Sequence, residues 1–188
     1  DIEGFEKNTY IPFNVIEERE NTSYSLANKS MKAIANLEYQ IIPSLSVRTE
    51  LGLQFEEVGT ERFGDKESYF TRKFRENTRY YDSQTKQYKY FLPDGGIIEN
   101  SSKSDFQYNW KSFVQYNKTF NSRHELDVMA GTELRRSKNT LISTKGFGFN
   151  PVTLTTQNIV FPNSNYQNNG LYRQYAKAIG ETAYASFY

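Results

Sequence analysis

The sequence predicts an all-β fold: a transmembrane antiparallel β-barrel fragment of about five strands with long extracellular loops. Three observations carry this. Apolar and polar residues alternate with period two, the alternating runs are long, and the gaps between them are short and long in turn. The clearest run is "SLSVRTELGLQFEE". Leu45, Val47, Thr49, Leu51, Leu53 and Phe55 fall on one face, and Ser46, Arg48, Glu50, Gly52, Gln54 and Glu56 on the other.

The same pattern is read at four other places. In "SMKAIANLEYQII", Met31, Ala33, Ala35, Leu37, Tyr39 and Ile41 oppose Lys32, Asn36, Glu38 and Gln40, with Ile34 as an exception. In "DFQYNWKSFVQYNKTF", Phe106, Tyr108, Trp110, Val114 and Tyr116 oppose Gln107, Asn109, Lys111, Gln115 and Asn117, and Ser112 and Phe113 break the pattern. In "HELDVMAGTELRR", Leu126, Val128, Ala130, Thr132 and Leu134 oppose Glu125, Asp127, Gly131, Glu133 and Arg135. The final stretch "QYAKAIGETAYASFY" alternates too weakly to fix its phase. Globular strands most often have about 5–6 residues, and a tilted strand crossing a bilayer needs about 9–11. The first four runs supply that length. Apolar positions do not recur at three and four, which argues against helix.

The first two runs meet at Pro43–Leu45 and the third and fourth at Asn121–Arg123, both tight. Long segments cover Asp1 to about Lys29, 58–104 and about 145–173. Short turns on one side and long loops on the other describe an outer-membrane barrel. On that reading Arg48, Glu50, Glu125, Asp127 and Glu133 face the interior. Tyr39, Tyr116 and Phe120 form a lower aromatic girdle, and Phe55, Phe106 and Tyr108 an upper one. A soluble β-sandwich produces the same alternation with its apolar faces turned inward, so it stands as the competing architecture.

Composition limits the function. The chain of 188 residues holds 15 Tyr and 14 Phe, yet its mean hydropathy is −0.77, which suits sheets with one wet face. A net charge of +1 makes no electrostatic case for nucleic acid. Without Cys there is neither a disulfide framework nor a thiolate metal site. No apolar run of about 18 residues would form a transmembrane helix. The N-terminus "DIEGFEKNTY" lacks a signal-peptide pattern, and "ETAYASFY" stops in mid-pattern, so the chain reads as an internal piece of a longer protein.

"NLEYQIIPSLSVRTELGL" and "FVQYNKTFNSRHELDVMAGTEL" resemble strand–turn–strand hairpins of SusC/RagA-type outer-membrane transporters, the TonB-dependent nutrient importers of Bacteroidetes. "GETAYASFY" resembles the start of that family's "S-Y-F-x-R-x-x-Y" strand, cut before the Arg. The resemblance covers about Ser30 to Phe55 and Phe106 to Leu134, and loosely the end of the chain. It implies that residues 1–188 are part of a single TonB-dependent receptor β-barrel domain of about 22 strands, with plug and TonB box elsewhere. It further implies uptake of glycans or oligopeptides, a SusD-like surface lipoprotein as lid, TonB and outer-membrane lipid as partners, and a bacterial outer-membrane location. A dimer of transporter–lid pairs is compatible with it. No catalysis and no cofactor are expected.

Candidate sites are sparse. His124 is the only histidine and has no Cys beside it, so a polar residue at a barrel rim explains it better than a metal ligand. "EERE", Glu17–Glu20, reads as a solvated charge run rather than a cation site. "KGFGFNP" lacks the spacing of a phosphate loop. The sequons at Asn21, Asn28, Asn100 and Asn117 are chance matches in a bacterial chain. Substrate- or lid-contact candidates are Tyr80, Tyr81, Tyr88, Tyr90 and Phe91, which precede the turn "PDGG" in "RYYDSQTKQYKYFLPDGG", a stretch therefore expected to hold its own hairpin. They would stack on cargo or pack on a lid; the other reading is that they pack on each other to order the loop. The functional alternative to an importer is a soluble or surface-attached β-rich carbohydrate-binding module. A β-rich hydrolase would need a carboxylate pair or triad, which the sequence does not identify.

Overall fold

The computed structural model describes residues 10–121 and 123–188. The first nine residues of the long N-terminal segment and Ser122 of the expected Asn121–Arg123 turn lie outside the described residues. The fold is all-β. A five-stranded sheet in the order β1-β2-β5-β6-β7 is joined by a separate two-stranded sheet, β3-β4. The large sheet holds β1 (Thr22–Ile42), β2 (Leu45–Gly64), β5 (Gly96–Phe120), β6 (His124–Phe149) and β7 (Tyr175–Phe187). β3 (Arg79–Asp82) and β4 (Gln87–Tyr90) form the small one. Three short helices, α1 (Val15–Glu20), α2 (Tyr69–Glu76) and α3 (Ser164–Gln167), and a 3-10 turn at Gly170–Tyr172 lie in the connections.

Neighbouring strands are antiparallel, as cross-strand contacts show. From β1 to β2, Glu38 meets Arg48 while Ala27 lies opposite Gly59. From β6 to β7, the Gly131 N–H donates to Tyr188 and the Lys145 N–H to Gln174.

The five expected strands are present, and the first four are longer than expected. β1, β2, β5 and β6 have 21, 20, 25 and 26 residues, about twice what a bilayer crossing requires. β1 therefore begins at Thr22 rather than near Ser30. The connection expected over 58–104 shrinks to 65–95, and the one expected over 145–173 to 150–174. Alternation in hydropathy fades where a strand no longer has one uniformly apolar side, and that is where the predicted ends fell short. The two tight turns lie where the sequence places them. At the second, Asn121 takes a positive φ of 51° and the Arg123 N–H donates to Phe120 O at 3.1 Å.

Two compact units emerge. Among the described residues, one comprises 27–59, 102–121, 123–142 and 177–188 and is almost purely sheet; the other comprises 10–26, 60–101 and 143–176 and carries the connections.

In the sheet unit, side-chain pairs fix the faces. Arg48 binds Glu38 through two nitrogens, at 2.7 and 3.0 Å, and its guanidinium lies 5.5 Å from the Phe113 ring. Gln115 donates to Asp127. These pairs define the polar face. They also account for Phe113, which breaks the alternation because it forms a platform beneath Arg48. The Trp110 indole N–H donates to Thr49 Oγ1 at 2.7 Å, which defines the opposite, apolar face. Leu37, Leu51, Leu53, Trp110, Leu126 and Val128 are all exposed. Nothing in the structure explains Ile34.

The phase of β7, which hydropathy leaves open, is set by its contacts. Ser137 pairs with Thr182 at 2.7 Å, while Arg136 and Lys138 both bind Glu181, at 2.9 and 3.3 Å. Thr182 therefore shares the face of Ser137, and Ala183, Ala185 and Phe187 share that of Glu181. On β6 the apolar stripe that runs up to Leu134 thus gives way to Arg136 and Lys138, both paired with Glu181 of β7. On the other face the Tyr188 ring lies over Gly131, where an added Cβ would come within 2.7 Å of it.

Candidate functional site

In the unit that carries the connections, the segments 65–95 and 150–174 fold onto one aromatic core. Phe91, Leu92, Ile97, Phe147 and Tyr172 are buried, with Phe70, Phe74, Tyr80, Ile159, Phe161 and Tyr166 packed around them. Phe74 lies 5.7 Å from both Phe147 and Tyr172, and Phe91 lies 4.9 Å from Tyr166 and 5.0 Å from Tyr172. Long connections become ordered when they bury their own side chains in this way.

Local chemistry places each piece. Ser68 caps α2 by accepting from the Thr71 N–H at 3.1 Å. Glu18 of α1 accepts from the Tyr69 and Phe70 N–H groups, so its carboxylate sits at the positive end of α2. One member of "EERE" is thus not merely solvated; from the segment before β1 it anchors the helix of the 65–95 connection. Beyond β6, Asn150, Asn163 and Asn169 each accept from the backbone two residues on and start a turn.

The glycines of "PDGG" and "KGFGFNP" meet. Gly95 has φ +133°, and a Cβ there would fall 2.6 Å from the Gly148 carbonyl carbon. Gly148 has φ +61°, and its Cβ would strike Pro93. Both positions need glycine for conformation and for close backbone approach. "PDGG" is consequently not the hairpin turn. The hairpin pairs Arg79 with Tyr90 and Tyr81 with Tyr88, and its turn is 83–86, with Lys86 at φ 53°. Asp82 closes that turn, accepting from Gln84 N at 2.9 Å, Thr85 Oγ1 at 2.9 Å and Lys89 Nζ at 2.6 Å. The Lys89 ammonium, then the Thr85 hydroxyl and the Gln84 N–H, hold its carboxyl well below the usual carboxylate range.

The five aromatic candidates are not equivalent. Phe91 is 5% exposed and belongs to the core, so it is not available as a contact residue in this conformation. Tyr80 is half-buried against the same core. Tyr90 donates its hydroxyl to Glu76 at 2.8 Å and lies 5.0 Å from the Arg75 guanidinium. Tyr81 and Tyr88, 53% and 51% exposed, form an edge-to-face pair at 5.3 Å and offer ring surface to solvent. His124 opens β6 and is exposed.

A cavity of about 430 Å³ lies in the same unit, and no sequence pattern points to it. Arg62 of β2, Glu99 of β5, Lys145 of β6 and Arg173 before β7 line it, with hydroxyls from Thr60, Ser101 and Ser143. Glu99 accepts from Lys145 at 2.7 Å and lies 3.8 Å from Arg62. The Arg62 guanidinium is 3.8 Å from the centre of the Phe70 ring, and the Lys145 ammonium 5.2 Å from that of Phe74. Each residue comes from a different segment of the chain, so only the antiparallel register brings them together.

No family model matches the chain, and no curated protein matches it in sequence. Solved structures do match. The chain is similar in fold to "Structure of the RagAB peptide transporter", with a TM-score of 0.63 and 12% identity. It is similar to the RagAB peptide importer in the "open-open" state, with a TM-score of 0.63, and in the "closed-closed" state, with a TM-score of 0.66, each at 14% identity. In all three, 99% of this chain is covered and it spans 18% of the other's length.

Proposed function

We propose that the chain is part of the barrel wall and outer loops of a TonB-dependent outer-membrane nutrient importer that works with a SusD-like lipoprotein lid. It contributes wall and contact surface and performs no chemistry. Residues 1–188 then belong to one barrel domain whose plug and TonB box lie elsewhere. The observation that carries this reading is that a two-faced sheet of over-long antiparallel strands aligns along 99% of its length with a peptide importer. Oligopeptide is accordingly favoured over glycan as cargo. The exposed stripe of Leu51, Leu53, Trp110, Leu126 and Val128 has no second layer over it among the described residues, which suits lipid better than the interior of a sandwich.

The location is tested by cysteine labelling of the full-length protein in intact cells. Ser83→Cys, in the hairpin turn, is expected to react with an impermeant thiol reagent. Ser44→Cys, in the tight turn between β1 and β2, is expected to stay unlabelled until the cells are opened. Equal reactivity of the two would remove the membrane reading.

Contact by the loop is tested at Tyr81 and Tyr88, because their rings are exposed and they lie outside the core. Each ring contributes on the order of 0.5–1.5 kcal/mol where it stacks on a partner. Replacing both by Ser is expected to lower peptide uptake or co-purification of the lid at equal surface levels. If both measurements stay at the wild-type value, the pair only closes its own hairpin.

A further inference from the structure

The structure assigns the cavity between Arg62 and Arg173 to the carboxylate groups of an acidic oligopeptide. This rests on the importer reading and adds a preference for charge. Three cationic side chains face the cavity against one carboxylate, Glu99. That carboxylate is largely taken by Lys145 at 2.7 Å, while Arg62 stands further off at 3.8 Å. Arg62 is steadied by the Phe70 ring, which presets a planar donor fork without using up its N–H groups. Arg173 has no side-chain partner among the described residues, and its backbone N–H is tied to Gly170 O at 3.3 Å. Two guanidinium groups with uncommitted donors therefore border one cavity of ligand size. A carboxylate is the group that fits them, because its two oxygens accept in parallel from such a fork. The Ser101 and Ser143 hydroxyls supply neutral donors for the rest of the group. Glu99 has a second effect: it repels an anion placed beside Lys145 and so directs it toward Arg173, the cation with no carboxylate beside it among the described residues.

The test measures binding to the purified full-length protein. The probes are a Glu-rich hexapeptide and its all-Gln, C-terminally amidated counterpart. Wild type is expected to prefer the acidic peptide by about tenfold or more, the scale of charge-assisted hydrogen bonds. Arg62→Gln with Arg173→Gln should reduce that preference to about twofold or less while leaving the amide peptide's affinity unchanged. Arg62→Lys with Arg173→Lys, which keeps the charge, should restore part of it. No preference in wild type, or equal weakening of both peptides in the Gln variant, overturns the assignment. An oligogalacturonate that binds better than the acidic peptide, and loses this in the Gln variant, moves the carboxylate to a sugar acid and overturns the choice of peptide. Uptake is scored separately. Peptides that enter cells without charge preference leave the importer standing and remove the site, whereas acid-selective binding without uptake keeps the site and removes the importer.

Discussion

Phe147→Ala is expected to open the unit that carries the connections while leaving the sheet unit intact. Phe147 is fully buried at the end of β6 and stacks at 5.7 Å on Phe74 of α2. The same core holds Phe91 and Tyr172, one from each of the two connections. Truncating a buried Phe removes its transfer free energy and leaves a cavity, about 3–5 kcal/mol together. The connections are held by few other buried groups, so that amount is a large share of their local stability. Native-state hydrogen exchange is the measurement. Amides of 69–92 and 164–172 should lose protection by a factor of about 10² or more, and amides of 31–42 and 126–134 should keep theirs. Proteolysis should find new cleavage sites in the same two segments. Tyr81→Ala is the control: its side chain is half-exposed, and its loss should change protection little. Unchanged protection in the Phe147 variant would mean that the aromatic core does not order the loops.

The strands and their tight turns were legible in the sequence because a one-sided environment writes itself as alternation. Leu45 to Phe55 needed nothing beyond period two, and Pro43 and Asn121 marked the turns. Illegibility began where the two sides stop differing. Glu57 to Gly64 continues β2 but carries Glu57, Gly59 and Glu61 on what had been the apolar side, so periodicity gave no signal there. The phase of β7 was hidden for a related reason: Glu181 falls on the apolar parity because Arg136 and Lys138 stand beside it, a pairing invisible along one strand. Within the loops, turn chemistry misled. Gly95 looked like a hairpin residue, yet its freedom serves a backbone contact with Gly148 from far along the chain. The same holds for the aromatic candidates. Composition marked the segment, but only packing separates Phe91, buried in the core, from Tyr81 and Tyr88 at the surface. The Arg62–Glu99–Lys145–Arg173 cavity lies wholly in this second class, since it exists only through register.

The second large effect is expected from Leu51→Arg. Thr49 receives the Trp110 indole N–H, so Thr49, Leu51 and Leu53 share the apolar face of β2, and Leu51 is 41% exposed there. Arg48 faces Glu38 and Phe113, so Gln54, six residues on, lies on the polar face. Leu51 is about midway between the turn at Pro43 and the charged position Glu57, near the middle of the apolar stripe. On the lipid-facing side of a barrel, Arg costs about 2–4 kcal/mol at that depth and about 0–1 near either edge. Gln54→Arg should cost much less, because its charge stays in water on the polar face of β2. The measurement is folding of the full-length protein into lipid vesicles under a urea titration, with heat-modifiable gel migration as a second readout. Leu51→Arg should shift the folding midpoint well below wild type, and Gln54→Arg should stay close to it. The contrast is specific to the membrane reading when Leu45→Arg is added. Near the short turn a lipid-facing Arg reaches the headgroups, so its penalty should fall below that at Leu51. In a sandwich core, burial rather than height along the strand sets the cost, and Leu45, which is half-buried, should then suffer at least as much as the exposed Leu51. A penalty that follows depth supports lipid contact, and one that follows burial returns the sheet to the interior of a soluble module. If Gln54→Arg is the most damaging of the three, the faces assigned to β2 are reversed.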